Sequence, residues 1–234
     1  MRVDVGATNP ETAFLDNVTW HALTTRQADV AERVGAAARF QPDVSVFAAL
    51  GAPVDGAWSD LGSLVGPGGH AVLFCADVPD APAGWTRLGD GIGHQMVLGE
   101  LASVDAPNAR RLGPDDAGEM LALVELTQPG PFCVRTVELG NYSGVFDGGA
   151  LVAMAGERLQ LPGYTEISAV CTHPDWRGRG LAAGLSALVA RGILERGNTP
   201  FLHHAADNEP ARRVYEALGF EFRREVGYAA YRAP

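Results

Sequence analysis

Apolar residues at helical spacing over residues 24–39, with Thr24 and Gln27 in capping-box positions, Val30, Val34 and Ala37 on one face and Pro42 beyond the end, predict a first helix. Short apolar runs then predict strands at 44–50, 71–75, 85–88 and 95–98. They are separated by Gly/Pro-rich stretches at 66–69 and 78–83, and a helix at 58–65 lies between the first two. Asp105, Pro107 and Asn108 interrupt the pattern, and a new strand begins at 109–112. The boundary divides the chain into an N-terminal α/β domain, 1–105, and a second domain, 106–234.

In the second domain Pro114 and Asp115 open a helix that runs to Leu126, and residues 127–131 break it. Residues 141–161 read as two strands about the turn Asp147-Gly148-Gly149. A strand at 165–172, an amphipathic helix at 180–196, a strand at 201–205, a helix at 210–218 and a last strand or hairpin at 220–231 complete the pattern. The fold class is α/β (α+β).

Composition narrows the chemistry. All 18 basic residues are Arg, so a Schiff-base, pyridoxal phosphate or P-loop nucleotide enzyme has no lysine to build on. The formal charge is -10, with 9 Arg against 21 acids in 1–169 and 9 against 7 in 170–234. Such an acidic chain disfavours nucleic acid, while the C-terminal quarter favours small anions. Cys75, Cys133 and Cys171 form no CxxC pair, and the adjacent His203 and His204 face opposite sides of a strand; we assign no metal and no disulfide framework. Asp4, Glu11 and Asp16 leave no apolar leader, and no run approaches a membrane span, so a soluble cytoplasmic protein with no membrane partner is expected.

The sharpest local feature is the strand at 166–172 followed by His173-Pro174-Asp175-Trp176 and then Arg177-Gly178-Arg179-Gly180-Leu181-Ala182 at the mouth of a helix. Glycines let successive N–H groups converge, the helix dipole adds positive charge, and two arginines supply charge-assisted bonds. A pyrophosphate suits such a junction.

Arg177-x-x-Gly180-x-Ala182 resembles the acyl-CoA loop of the GNAT N-acetyltransferase superfamily. Asn208-x-x-Ala211-x-x-x-Tyr215-x-x-Leu218-Gly219-Phe220 is similar to the family's next block. The likeness covers about residues 109–231. More narrowly, Pro131-Phe132, Arg135-Thr136, Glu138-Leu139-Gly140, Tyr142-x-Gly144, residues 153–158 and residues 170–174 resemble the C-terminal domain of glycine N-acyltransferases. Residues 1–105 match the motifs poorly and are read as a degenerate second copy of the fold.

The resemblance implies a central sheet splayed between the strands of Val170 and His203, with acetyl-CoA bound by Val170, Cys171, Thr172, Arg177, Gly178, Arg179, Gly180, Leu181, Ala182, Asn208 and Ala211. It implies direct acetyl transfer to a primary amine of a small molecule or peptide, and it leaves a homodimer open. Tyr215, seven residues beyond Asn208 on the same helix face, corresponds to the phenol that protonates the leaving sulfur. Glu166 is the first candidate base: alternation places it on the side of Ser168, Val170 and Thr172, and burial is expected to raise its pKa. Glu138 and Glu157 follow. Arg135, Tyr142 and Arg158 are candidates for the acceptor pocket, an Arg fork suiting a carboxylate. Two rival readings are a catalytically silent acyl-CoA-binding module and aminoacyl transfer from charged tRNA, which the acidic charge disfavours.

Overall fold

The computed structural model describes residues 10–51 and 56–234, so the expectation for the chain before residue 10 lies outside the described residues. Helix α1 is Val18–Thr24, with Asn17 as its cap, the side chain accepting from the Trp20 amide. The expected helix over 24–39 is instead a hairpin of β1 (Ala31–Val34) and β2 (Ala37–Phe40). Gly35, at φ 50°, turns the chain, and Asp60 accepts from the Ala36 amide at 2.8 Å. The alanines that favour a helix locally are here the fully buried Ala37 and Ala38, so packing overrides propensity.

Then come β3 (Phe47–Leu50), α2 (Ala57–Val65), β4 (His70–Cys75) and β5 (Thr86–Leu98). The two strands expected at 85–88 and 95–98 are one. Gly89, Gly91 and Gly93 lie inside it, and a Cβ on Gly91 would collide with the Tyr228 ring laid across the strand. Glycine here answers a close approach and does not mark a turn.

The second half follows its expected order: β6 (Arg110–Leu112), α3 (Ala117–Thr127), β7 (Tyr142–Asp147), β8 (Ala150–Leu161), β9 (Tyr164–Thr172), α4 (Leu181–Glu195), β10 (Thr199–Ala205), α5 (Glu209–Ala217) and β11 (Phe220–Arg232). Asp116 secures the entry to α3 by accepting from the Gly113 amide at 2.9 Å and from Arg110.

Among the described residues all eleven strands form one sheet in the order β1-β2-β3-β4-β11-β5-β10-β9-β8-β7-β6. The units β3-α2-β4 and β9-α4-β10 are each a parallel pair joined by a crossover helix. Beyond β4 lies antiparallel β11, and beyond β10 lies antiparallel β5. Each half thus lays its last strand against the other half, and β5 and β11 pair between them from Leu98 with Phe220 to Thr86 with Arg232. The sheet runs across the break near residue 105. One face of the β5–β10 region carries α4 and α5, with Leu185 of α4 packed among Met96, Ile167, Leu202 and Phe220. The opposite face is covered by α1 and the packed Phe40, Phe47, Phe74 and Phe201. No helix among the described residues is long and apolar enough to cross a membrane.

Candidate functional site

Strands β9 and β10 pair in parallel from Tyr164 with Thr199 to Ile167 with Leu202, and there the ladder ends, although β9 continues to Thr172 and β10 to Ala205. Ala169 explains the divergence. Its φ of 53° is left-handed, a conformation that costs a non-glycine residue about 1–2 kcal/mol, and the pairing of β8 with β9 shifts register at the same point. The strands therefore separate with backbone groups turned toward the gap, where an extended chain carrying amides finds partners.

The bulge also reverses which side each later residue faces. Val170 packs with Ile167, Leu202 and Tyr215 under α4 and α5, whereas Glu166 lies on the opposite face. The expectation that Glu166 and Val170 share a side therefore fails, because simple alternation does not survive an extra residue in the strand.

Beyond Thr172 the chain makes a 3-10 turn at Pro174–Trp176 and enters α4 through Arg177-Gly178-Arg179-Gly180. Gly178 and Gly180 have φ of 76° and 73°, and a Cβ on either would meet nothing within 4 Å. Glycine is needed there for conformation, and the surface above is open. Arg177 donates from Nε to the Thr172 carbonyl at 3.4 Å, while Arg179 bonds the Asp175 carbonyl and lies 4.2 Å from the Trp176 ring centre. Both arginines are exposed at the positive end of a fifteen-residue helix that starts with half-buried Leu181 and Ala182. The buried Thr172 hydroxyl has no hydrogen-bond partner among the described residues.

Across the gap, Asn208 caps α5 by accepting from the Ala211 amide at 3.1 Å. Tyr215, one helical face further on, is buried, its ring 6.1 Å from those of Phe220 and His204. Burial, and next the neighbouring Cys171 thiol, push its phenol up to about 12, so it stays protonated at neutral pH. Cys171 itself is buried, and its thiol is raised to about 11 by desolvation. A proton donor with no tendency to ionise is thereby set beside the divergence.

On the opposite face stands a buried polar chain. Glu166 accepts from Arg158 twice, at 2.9 and 2.7 Å, and its Oε1 is 2.7 Å from His203 Nδ1. His203 Nε2 is 2.9 Å from Gln95 Nε2, which also donates to the Leu15 carbonyl. Gln95 Oε1 accepts from Arg223, and Arg223 donates to Asp16, each at 2.8 Å. Because the Gln95 amide nitrogen can only donate, His203 carries its proton on Nδ1 and donates it to Glu166. Burial lowers the His203 pKa despite Glu166, so the ring is neutral.

The expected rise in the Glu166 pKa is reversed. Burial raises it, but Arg158 and His203 together bring it down to about 2. A carboxylate held this way accepts a proton from an amine poorly. His204 faces Tyr215, so the two histidines lie on opposite sides, as strand alternation predicts.

The acceptor candidates and the further candidate bases do not meet in one place: Tyr142 and Glu157 line one pocket of about 220 Å³, while Arg135 and Glu138 lie elsewhere. Arg135 pairs with Glu138 and Asp43 at the surface, clasping the loop before β3. Glu157 is buried on the α4 side, held by Arg196 at 2.6 Å and Asn141 at 3.2 Å. Tyr142 is fully buried over Gly156, its hydroxyl without a partner among the described residues. Arg158 turns its Nε edge on Glu166 and is buried over the Phe47 ring, so its charge is already matched by a carboxylate of the chain itself. Gln95, Phe47 and Phe74 are participants that sequence reasoning missed. Phe74 lies 4.6 Å from the His203 ring and Phe47 beneath the Arg158 guanidinium at 4.9 Å, yet each comes from a segment without local motif.

Comparison with known proteins agrees with this geometry. The FR47-like protein family matches residues 142–229, which include the divergence, the loop and Tyr215. A mycothiol acetyltransferase of Corynebacterium aurimucosum is 37% identical over 65 residues, a segment that spans 21% of that protein's length and 27% of this chain. A GCN5-related N-acetyltransferase from Kribbella flavida shares the fold, with a TM-score of 0.61 at 17% identity over 97% of each chain. A structure assigned to the GNAT acetyltransferases, from Novosphingobium aromaticivorans, superposes with a TM-score of 0.86 at 37% identity. That match covers 94% of this chain and 98% of the other, and on it the chain belongs to the GNAT family of acetyltransferases.

Proposed function

We propose that this acetyltransferase moves an acetyl group from acetyl-CoA to a primary amine of a small molecule or peptide, by direct attack while both are bound. The observation that carries the reading is the loss of β9–β10 pairing after Ile167 and Leu202, immediately before a glycine-arginine loop at a helix start. In this reading the pyrophosphate rests on the 178–182 amides with Arg177 and Arg179 beside it, and the pantetheine arm bonds the backbone of Val170 and Thr172. Asn208 and Ala211 hold the start of α5 against that arm.

When bound, acetyl-CoA supplies the activated thioester. The neutral amine nitrogen attacks the carbonyl carbon, the carbon–sulfur bond breaks, and Tyr215 gives its proton to the departing sulfur and recovers one from solvent. With Glu166 committed to Arg158 and His203, the amine proton leaves to water, and Glu166 acts as a positioning residue that fixes the His203 tautomer. The likeness of Tyr142-x-Gly144 and neighbouring blocks to glycine N-acyltransferases favours a small acceptor. The chain has no lysine of its own, so any lysine it acetylates belongs to another molecule.

A panel of primary amines with acetyl-CoA, followed by free thiol, tests the reading. Thiol release with at least one amine is expected. Undiminished acetyl-CoA binding with no release across the panel would identify a silent binding module instead.

A further inference from the structure

The unit β3-α2-β4 repeats the arrangement of β9-α4-β10, and its ladder stops in the same way. Among the described residues β3 and β4 pair at Phe47 with Val72 and at Ala48 with Leu73, although β3 runs on to Leu50 and β4 to Cys75. Past Ala48 and Leu73 each strand has an edge that the other does not satisfy, and the backbone groups there need other partners. The Gly51 amide bonds the Ala36 carbonyl in line with the β2–β3 ladder, so by antiparallel alternation Leu50 turns its carbonyl away from β2, toward the gap.

The chain itself meets these groups. Asn17 Nδ2 donates to the Leu50 carbonyl at 2.8 Å. Opposite, the buried Thr19 hydroxyl donates to the Phe74 carbonyl at 3.3 Å, and the Ala76 amide, just past β4, donates to the Asp16 carbonyl at 2.7 Å. Residues 16–19 therefore bridge the two strands with a carboxamide N–H and a peptide carbonyl, the two groups that an amide-bearing arm would offer. Trp20 packs on Gly51 at the end of β3, where a Cβ would collide with its ring, whereas Gly178 and Gly180 before α4 face open space. In the second unit the His173 amide bonds the Val152 carbonyl in line with the β8–β9 ladder. By the same alternation Thr172 turns its amide toward the β9–β10 gap, at the foot of the exposed arginine-glycine loop.

Resting on the acetyltransferase reading above, we infer that residues 16–19 take, in the N-terminal half, the place that the cofactor arm takes in the C-terminal half. The N-terminal half is then a cofactor-type unit filled by its own chain. It holds no acyl-CoA, and each chain carries one. The filling segment also borders the open gap, because the Asp16 carboxylate accepts from Arg223, at the end of the polar chain through Gln95 and His203. One residue thus closes the first gap with its backbone and anchors the border of the second with its side chain.

The test is hydrogen exchange of the Ala76 and Thr172 amides, followed by NMR in the full chain with and without acetyl-CoA, together with the calorimetric stoichiometry of acetyl-CoA. Ala76 is expected to exchange slowly in both states, Thr172 to slow at least about tenfold on addition of acetyl-CoA, and the titration to saturate at one per chain. Two acetyl-CoA per chain, fast exchange of Ala76 in the free protein, or a slowing of Ala76 as large as that of Thr172 overturns the inference. If acetyl-CoA slows neither amide while Ala76 is already slow, the cofactor reading fails and the filled gap stands. Asn17→Ala gives a second check: loss of its bond to Leu50 should speed exchange at Ala76 by about fivefold, the scale of one hydrogen bond, and leave the Thr172 response in place. An unchanged rate at Ala76 in that variant would also overturn the inference.

Discussion

Glu166 Oε1 lies 2.7 Å from His203 Nδ1, on the sheet face opposite Tyr215, in a bond that joins the two strands just where their ladder ends. The pair is the start of the polar chain through Gln95 and Arg223 to Asp16, which ties the N-terminal half to the divergence. The pair's direct partners, Arg158 and Gln95, are buried and hydrogen-bonded, so breaking it leaves charge without compensation.

Glu166→Gln is therefore expected to destabilise the fold by about 3–5 kcal/mol, because Arg158 is left buried opposite a neutral amide. Urea unfolding measures this. A loss below about 1 kcal/mol would show that the Arg158–Glu166 pair contributes little.

Acid should weaken the protein in two stages. Burial holds His203 below its ordinary 6.5, so the unfolded chain takes up a proton there first, and stability present above 6.5 falls as pH drops toward the lowered value. Glu166 is held at about 2 against an ordinary 4.5, so its contribution is complete above 4.5 and is lost between there and about 2. His203→Gln should shrink the first stage, to which His21 and His204, also lowered by burial, contribute, and keep the second. A single acid transition unchanged by that variant would contradict the assignment.

Tyr215→Phe should lower kcat by about 10²- to 10⁴-fold, the range for a general acid, without changing acetyl-CoA affinity. With the phenol pushed up to about 12, the wild-type rate should show no loss from Tyr215 ionisation across the neutral and mildly alkaline range. Equal kcat in the two proteins would leave Tyr215 as a packing residue.

Ala169→Val should close or strain the gap, because a β-branched residue tolerates a φ of 53° far less well than alanine. Acetyl-CoA affinity should fall. Ala169→Gly should retain it with stability near wild type, since relief of the left-handed strain roughly offsets the added chain entropy. Equal affinity in all three proteins would mean that the bulge does not hold the strands apart.

What was legible in the sequence was local. The turn at Gly148-Gly149, the loop from Arg177 to Gly180 and the cap at Asn208 all depend on neighbours within a few residues, and each appears in the structure where spacing places it. Three features depended on distant partners. The hairpin at 31–40 reads as a helix until α2 packs over Ala37 and α1 over Ala38, and β5 reads as two strands until Tyr228 accounts for Gly91. Glu166 is expected to be a carboxyl raised by burial until Arg158 and His203, the latter held by Gln95, are brought around it. The bulge at Ala169 left no mark in residue type, and it decides which face Glu166 and Val170 occupy.

Calorimetric titration of acetyl-CoA into the wild type and into Gly180→Glu tests the central claim most directly. Gly180 caps α4 at a φ of 73°, and a glutamate there opposes both the backbone conformation and the incoming phosphates. With thermal melting recorded for both proteins, the account predicts binding by the wild type and a loss of at least about 100-fold, near 3 kcal/mol, in a variant that remains folded. Equal affinity in the two folded proteins would contradict it.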